Sequence, residues 1–338
     1  VLLWPEGEPS PEGAATAAGV PAPSADAVSL AILPFKNASG DTDLDWLSDG
    51  LAEMLRTDVG QSASLRTVSS DRLHQILSDL RLSADDSMEE VTLRRVAEFG
   101  NADTLVWGQF VQLGDAIRID ATVRDFERHN TVTLKAEAAG EDELLEAVNG
   151  LAEEVRGSLA LSRAGRRELE QQAFLPSSES VTALRRYNEG LAQLREGNNL
   201  DAVTSFETAV EADPDFALAH AKLASSYDTL GRNQKAVDTS RRAVELADGL
   251  PDAERFMILA QDALLQGDFE AGLDAYQNLL RMHPNDPDLH YELGVLYEDQ
   301  GAFDQAREQL AVALEADPRN VTAQLAMGRV LIKSGSFQ

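Results

Sequence analysis

The sequence predicts two fold classes in one chain: an α/β (α+β) domain with a mixed sheet and an antiparallel meander, followed by an all-α solenoid. Three observations carry this prediction. A short apolar run opens the first part, and three segments with strict period-two alternation follow it. From Leu184 onward, glycines recur every 34 to 36 residues. Period-two alternation is typical of strands with one buried face, and a period near 34 residues is typical of stacked helical pairs.

The first half of the α/β domain, which we predict over residues 28–162, alternates strands and helices. The segment SLAILPF (29–35) is short and apolar, as in a buried strand, and Leu44–Gly60 has helical spacing of its apolar residues. LRTVSS (65–70) reads as a second strand, after which Asp71 can cap a helix. Another helix is predicted to open at Ser87.

The second half of this domain is predicted as a meander. Thr104–Val111, Ala116–Val123 and Thr131–Ala138 are strand candidates joined by short turns. Apolar residues alternate with polar or charged ones in the second and third segments, which predicts one buried and one solvated face. The long amphipathic segment Glu141–Leu161 is expected to form a helix that covers the buried face.

Several short motifs of this part resemble a known family. They are Pro34-Phe35 at the end of the first strand, Trp46 with Asp49-Gly50-Leu51 at the first helix, and Asn101-Ala102-Asp103 with Gly108, which lead into the hairpin. Over about residues 28–162 the chain resembles the TolB amino-terminal-like domain, which is related to the FlgO and CsgG group. The resemblance implies a bacterial protein in which this domain precedes tetratricopeptide repeats. It often sits there behind a membrane helix and a cytoplasmic serine/threonine kinase, winged-helix regulator or adenylate cyclase.

The solenoid is predicted over residues 181–338, after a polar linker at 163–180. Its register is set by five glycines at spacings of 34, 36, 34 and 34: Gly197, Gly231, Gly267, Gly301 and Gly335. With small residues seven positions earlier and prolines at the repeat ends, the pattern resembles tetratricopeptide repeats. The predicted repeats are 183–216, 217–252, 253–286, 287–320 and a partial 321–338.

A binding groove is expected on the concave face of the solenoid, which the first helix of each repeat lines. By the family register, the residues predicted to bind a partner are Tyr187, Leu191, Leu194, Met257, Gln261, Tyr291, Val295 and Glu298. The groove would hold an extended or helical peptide, with aromatic and Met side chains as anchors. The alternative is that these residues only pack adjacent helices together. Because the groove lacks the Lys, Asn and Arg set that grips a carboxylate in some relatives, we do not expect a terminal-carboxylate ligand.

The composition excludes several classes of function. The chain of 338 residues has 58 acidic and 29 basic residues and a formal net charge of −29, which disfavours nucleic acid. It has no cysteine, so thiol catalysis and disulfides are excluded. Its five histidines are scattered, and the loop Asn37–Asp41 lacks the glycine spacing and lysine of a phosphate loop. We therefore predict no catalytic, cofactor-binding or metal-binding residue.

The ends of the sequence bear on its context. Residues 1–27 are rich in Pro, Ala, Gly and Ser, which predicts a disordered linker. Val1–Pro5 is either the outer end of a transmembrane helix or an arbitrary cut, and no run of 18 apolar residues predicts a span within the chain itself. Because the fifth repeat stops after its first helix, we expect the chain to be a piece of a longer protein.

Three functional hypotheses follow from these features. The first is a non-enzymatic sensor or scaffold segment of a bacterial membrane signalling protein, periplasmic or otherwise extracytoplasmic, whose repeats bind a protein or peptide. The second is small-ligand sensing by the α/β domain. The third is the non-catalytic region of a kinase, adenylate cyclase or winged-helix regulator whose effector domain lies outside this sequence. A cytoplasmic location and self-association into a homo-oligomer stay open as alternatives.

Overall fold

The structure is a computed structural model that describes residues 28–60, 65–83, 89–159, 178–284 and 286–335. The predicted linker 1–27 and residues 163–177 of the predicted linker 163–180 lie outside the described residues. An α/β part with a mixed sheet is followed by an array of helices. The two predicted fold classes are thus confirmed.

Among the described residues, six strands form the sheet of the α/β part: β1 (Val28–Ile32), β2 (Lys36–Asn37), β3 (Leu65–Thr67), β4 (Thr104–Leu113), β5 (Ala116–Asp125) and β6 (Asn130–Ala138). The strand order is β3-β1-β4-β5-β6, and β2 pairs with β4 beside this path. β3, β1 and β4 are parallel, whereas β4, β5 and β6 are antiparallel. The predicted meander is therefore the antiparallel half of the sheet.

Four helices cover the two faces of the sheet: α1 (Trp46–Gly60), α2 (Ser70–Leu80), α3 (Glu90–Gly100) and α4 (Leu144–Ser158). α1 and α4 pack on the face that carries Leu30 and Ile32 of β1. α2 and α3 pack on the other face, against Ala31 and Leu33. Because β1 is covered on both sides, its residues from Ser29 to Ile32 are all buried, whereas the burial of β5 alternates because only one of its faces is covered.

Two details differ from the sequence-based expectation. Asp71 was expected to cap α2, but the N-cap is Ser69, whose hydroxyl accepts a hydrogen bond from the Arg72 amide at 3.4 Å. Asp71 lies instead in the first turn, where its charge favours the helix dipole. The first strand ends at Ile32, so the Pro34-Phe35 motif lies in the connection that follows it.

Nine helices of the described residues form the array: α5 (Val181–Arg195), α6 (Asn199–Ala212), α7 (Ala217–Thr229), α8 (Asn233–Leu246), α9 (Asp252–Gln266), α10 (Phe269–Met282), α11 (Pro287–Asp299), α12 (Phe303–Ala316) and α13 (Val321–Lys333). Odd-numbered helices from α5 onward open the repeats and are called A helices below. Even-numbered helices from α6 onward close them and are called B helices.

The glycines that set the repeat register have a conformational role. All five lie after an A helix with φ between 69° and 79°, the left-handed region that costs glycine least. A second glycine position lets the two helices of a repeat approach closely. A Cβ on Gly190 would lie 2.6 Å from the Phe206 ring, and one on Gly294 would lie 2.7 Å from Leu310. The repeat pattern thus encodes both the turn and the helix contact.

Candidate partner-binding groove

Three positions recur on the A helices with the repeat period, and we call them groove positions. The predicted binding residues hold all three on α5 and α11 and the first two on α9. On α11 they are held by Tyr291, Val295 and Glu298. Leu191 and Leu194 are partly exposed on α5, as are Met257 and Gln261 on α9 and Tyr291 and Val295 on α11. Tyr187 and Glu298, in contrast, are buried.

Tyr187 is part of the core of the first repeat. Only 6% of its surface is exposed, and its ring lies 5.0 Å from that of Phe216 and 5.8 Å from that of Phe206. Burial raises the pKa of its hydroxyl. Most of the Tyr187 surface is thus already used to pack the repeat, and its role as a partner anchor stays a prediction.

Glu298 is also withdrawn from the groove surface. Its carboxylate accepts hydrogen bonds from Arg329 at 3.0 and 3.1 Å and forms an ion pair with Lys333 at 2.9 Å. Burial alone would raise the pKa of Glu298, but the hydrogen bonds from these two cations outweigh it and lower the pKa. This buried charge joins α11 to α13 and is not free to meet a partner.

The α/β part lies over the groove positions of α5. The Arg185 guanidinium stacks 5.1 Å from the centre of the Trp46 ring, and Arg185 donates a hydrogen bond to the Asp43 carbonyl at 3.2 Å. Leu47 and Leu51 of α1 belong to the same hydrophobic cluster as Tyr187. We call this apolar interface between α1 and α5 the proximal contact.

A cavity of about 660 Å³ lies beside the proximal contact, with one wall from each part of the molecule. Its lining residues are Asp49, Asp71, His74, Gln75, Ser78, Leu191, Ala192, Leu194, Arg195, Glu196 and Lys222. The groove residues Leu191 and Leu194 therefore face the α/β part across this cavity instead of an open channel.

An ionic network ties the two walls of this cavity together. The Asp49 carboxylate forms an ion pair with Arg195, and its other oxygen lies 3.2 Å from His74 Nε2. Nδ1 of the same ring lies 2.8 Å from the Ser70 carbonyl oxygen, so both ring nitrogens face acceptors. Burial opposes the ionised form of Asp49, but His74 and Arg195 outweigh it and lower the pKa of this carboxyl.

A second contact joins the α/β part to the other end of the array. Arg72 of α2 forms an ion pair of 2.6 Å with Asp317, which follows α12. The Arg319 guanidinium lies 4.0 Å from the centre of the Phe99 ring of α3. We call this polar interface the distal contact. The α/β part thus bridges the first repeat and the junction before α13, which the sequence-based prediction of a free groove did not foresee.

Comparison with known proteins identifies the array. The family model described as Tetratricopeptide repeat matches residues 187–251 and 259–321. These residues are tetratricopeptide repeats. The matched ranges cover no residue of the α/β part, so the resemblance of that part to the TolB amino-terminal-like domain stays a prediction.

Two curated relatives are similar to part of the chain over a fraction of their own length. The chain is 29% identical over 123 residues to the general transcriptional corepressor trfA of Dictyostelium discoideum, covering 36% of this chain and 9% of trfA. It is 28% identical over 142 residues to the BBSome complex member BBS4 of Bos taurus, covering 42% of this chain and 27% of BBS4. The match thus spans about a quarter or less of either relative.

Solved structures of tetratricopeptide proteins overlap the array only loosely. TTC0263, a thermophilic tetratricopeptide protein of Thermus thermophilus, is 21% identical, with a TM-score of 0.40 and coverage of 45% of this chain and 83% of its own. YrrB, described as having an unusual peptide-binding site, is 19% identical, with a TM-score of 0.32 and coverage of 46% and 79%. The assignment of the repeats therefore rests on the family model and the repeat geometry.

The tetratricopeptide groove stays open toward its later repeats. Leu264 of α9 is 37% exposed, and Leu325 and Ile332 of α13 are 62% and 61% exposed. All three hold groove positions, because Leu325 and Ile332 lie 34 residues after Tyr291 and Glu298. With Gln261, Tyr291 and Val295 they make up what we call the open stretch. The sequence-based list omitted Leu325 and Ile332, although adding one more period to it would have found them.

The described residues show neither a metal site nor a membrane span. Among them, no group of three or more His, Asp or Glu side chains is placed to hold a metal ion. No described helix combines the length and the apolar character needed to cross a bilayer.

Two carboxyl groups, Asp58 on α1 and Glu254 on α9, have raised pKa values. Burial raises the pKa of Asp58 to about 6, although Arg156 opposes the shift. Burial, together with the charge of Asp58, raises the pKa of Glu254 on α9 to about 7. The folded protein thus holds these protons more tightly than the unfolded chain does. The protonated carboxyl groups of Asp58 and Glu254 therefore stabilise the folded state fully below pH 4, and this stabilisation is lost as the pH rises through 6 to 7.

Replacing Glu254 with glutamine is expected to flatten this pH dependence. At pH 8, Glu254→Gln should unfold with a free energy higher than that of the unchanged protein by on the order of 1 kcal/mol, because it removes a charge that burial disfavours. At pH 4 the two should be equal. Urea unfolding between pH 4 and pH 8 measures the difference. The matched control is Glu270→Gln, at an exposed position of α10, and equal pH profiles for the two variants would contradict the prediction.

Proposed function

We propose that this chain is a non-enzymatic scaffold or sensor segment that holds a protein or peptide partner in the open stretch of its tetratricopeptide groove. The observation that carries the proposal is the exposure of Leu264 at a groove position, together with the partial exposure of Tyr291 and Val295. Large apolar side chains exposed together at the register of a recurrent binding face favour a partner with an apolar surface. Packing already uses most of the Tyr187 surface, but these three residues have spare surface.

A matched pair of variants tests this function. Leu325 and Leu200 are both 62% exposed, but Leu200 lies on the B helix α6, outside the groove positions. Leu325→Asp should lower the recovery of binding peptides from a phage-displayed random library by about tenfold or more, because it places a charge in the apolar open stretch. Leu200→Asp should leave recovery unchanged. Equal recovery by both variants, with unchanged circular dichroism, would refute binding at the open stretch.

The wider setting is proposed from the sequence resemblance. The order of an α/β part before tetratricopeptide repeats supports a bacterial membrane signalling protein in which this segment is extracytoplasmic and an effector such as a kinase lies elsewhere. The acidic surface, with a formal net charge of −29, supports a basic or neutral partner. The alternative occupant of the open stretch is a second copy of the chain. Light scattering distinguishes it from a different partner, because only self-association gives the unchanged protein a higher molar mass than Leu325→Asp.

The cavity favours a second candidate function, small-ligand sensing. Its volume of about 660 Å³ lies within the usual range of about 300 to 1,000 Å³ for ligand sites, and it combines apolar and charged walls. A ligand there would contact α2 and the first two repeats at once. Ligand-screen melting shifts that disappear in Ser78→Trp, which fills the cavity, would support this candidate over the scaffold.

A further inference from the structure

The distal contact seats an arginine among three carboxylates of the tetratricopeptide array. Arg72 forms its 2.6 Å ion pair with Asp317, and the two side chains are only 8% and 12% exposed. Asp286 and Asp288, at the start of α11, line the same small cleft as Arg72 and Asp317. The guanidinium is therefore held in a cleft of the array that carries opposite charge.

These carboxylates are held partly by amides of their own helix and partly by groups of the α/β part. The Asp286 carboxylate accepts hydrogen bonds from the amides of Asp288 at 2.9 Å and Leu289 at 3.3 Å. Burial raises the pKa of Asp286 and of Asp288, and the charge of Arg66 counteracts the rise for both. Arg72 counteracts it further at Asp288, which also accepts a hydrogen bond from the Ser69 hydroxyl. Without a guanidinium, like charges would be left together in a partly desolvated cleft.

The distal contact also has an aromatic component. Phe99 lies beneath Arg319, which is two residues from Asp317, at a distance of 4.0 Å from the ring centre. An arginine and an aromatic residue of the α/β part are thus seated side by side on the array. Both interactions are polar or cation–π in kind and lose strength as salt screens them. The proximal contact has interactions of the same kind at Trp46, Arg185 and Asp49, but it also has the apolar cluster of Leu47, Leu51 and Tyr187, which salt does not screen.

Another repeat uses the same register position in a similar way. Asp213, which follows α6 as Asp317 follows α12, accepts a hydrogen bond from the Ser178 hydroxyl. A hydroxyl needs one acceptor, whereas a guanidinium presents several donors that match paired carboxylates. Of these two junctions, the one between α12 and α13 holds an arginine.

We propose that Asp286, Asp288, Asp317 and Arg319 form an arginine-recognition surface that Arg72 and Phe99 occupy within the chain, and that a partner binds by replacing them with its own arginine and aromatic side chains. This inference rests on the proposed function, since it names the chemistry of the partner. The partner is then a basic segment, which the net charge of −29 attracts at long range. Its binding separates the distal contact, while the apolar proximal contact keeps the α/β part attached to α5.

Vacating the surface tests the recognition step. Arg72→Ala removes the guanidinium that pairs with Asp317, while Arg66 stays in the same cleft. N-acetyl-arginine amide is the probe for the vacated position, with N-acetyl-lysine amide as the comparison. Titration calorimetry should show about tenfold tighter binding of the arginine probe to Arg72→Ala than to the unchanged protein or to Arg72→Ala with Asp317→Asn. The matched control is Arg307→Ala, which removes an exposed ion pair with Asp304. No gain over Arg307→Ala would overturn the proposal.

A distance measurement tests the separation of the distal contact. Because the chain has no cysteine, spin labels can be placed at Glu98→Cys on α3 and Glu308→Cys on α12, both exposed positions. The label distances should be narrowly distributed in the unchanged protein and broader in Arg72→Ala. Arg72→Lys should also broaden them, because an ammonium lacks the planar fork, and it replaces Arg72→Ala if that variant does not fold. Unchanged distributions in both would overturn the proposal.

The open stretch and the arginine-recognition surface can be refuted independently of each other. If the arginine probe does not bind while peptide recovery still depends on Leu325, the arginine-recognition surface is wrong and the open stretch stands. If the probe binds Arg72→Ala but peptide recovery ignores Leu325, the proposed open stretch is wrong and the arginine-recognition surface stands as a contact within the chain.

Discussion

Gly108→Ala is expected to destabilise the α/β part by about 3 kcal/mol or more. A Cβ at this position of β4 would lie 2.1 Å from the Asp120 carbonyl oxygen and 2.6 Å from the Phe35 ring. The first of these atoms belongs to the backbone of β5, which is paired with β4 along its whole length. The strand cannot retreat without breaking that ladder, so the strain cannot be relieved by turning a side chain. Urea unfolding followed by the fluorescence of Trp46 and Trp107 measures the loss.

Gly150→Ala is the matched control for this variant. Gly150 lies within α4, and a Cβ there would meet no atom within 4 Å. Alanine should therefore stabilise the helix by about 0.5 to 1 kcal/mol, because it loses less backbone entropy than glycine on folding. Equal unfolding midpoints for Gly108→Ala and Gly150→Ala would show that the two glycines are not distinguished by the space around them.

Gly108 also shows a limit of prediction from sequence. The sequence marks this glycine as a motif residue at the first strand of the meander, but the clash that requires glycine comes from Asp120 and Phe35 on other segments. The meander itself was predicted because alternation and turn residues are properties of neighbouring positions. The tetratricopeptide register was predicted for the same reason, since its glycines recur along the chain and adopt the same backbone conformation.

The contacts within the chain that cover the groove could not be predicted in the same way. Arg72 and Asp317 are far apart in sequence, and neither belongs to a pattern that names its partner. Their pairing depends on how the array curves relative to the α/β part, which no local period encodes. Tyr187 was assigned to the groove from its register alone, because the register does not reveal that Phe206 and Phe216 both close over its ring. Periodicity therefore identifies a face of the array but not what already covers it.

Phe206→Ala is expected to cost about 3 to 5 kcal/mol and to loosen the first tetratricopeptide repeat from the α/β part. Phe206 is fully buried, lies 5.8 Å from the Tyr187 ring, and fills the space that Gly190 leaves open. Its removal leaves a cavity between α5 and α6 that neither backbone can close. Because Leu47 of α1 belongs to the same hydrophobic cluster, the defect should reach the proximal contact.

Hydrogen exchange separates the local and the transmitted effects of Phe206→Ala. Amides of α5 and α6 should exchange faster, and so should those of α1, whereas α11 and α12 should change little because their packing clusters contain no residue of the first repeat. The matched control is Phe269→Ala on α10, where the ring is 37% exposed and its loss should cost less than about 1 kcal/mol. Faster exchange in α5 without any change in α1 would show that the proximal contact is held by Trp46, Arg185 and the Asp49–Arg195 ion pair. The proximal contact would then not depend on the apolar cluster. Both contacts would be polar, and the distal contact could no longer be called the weaker one on the ground that it is polar.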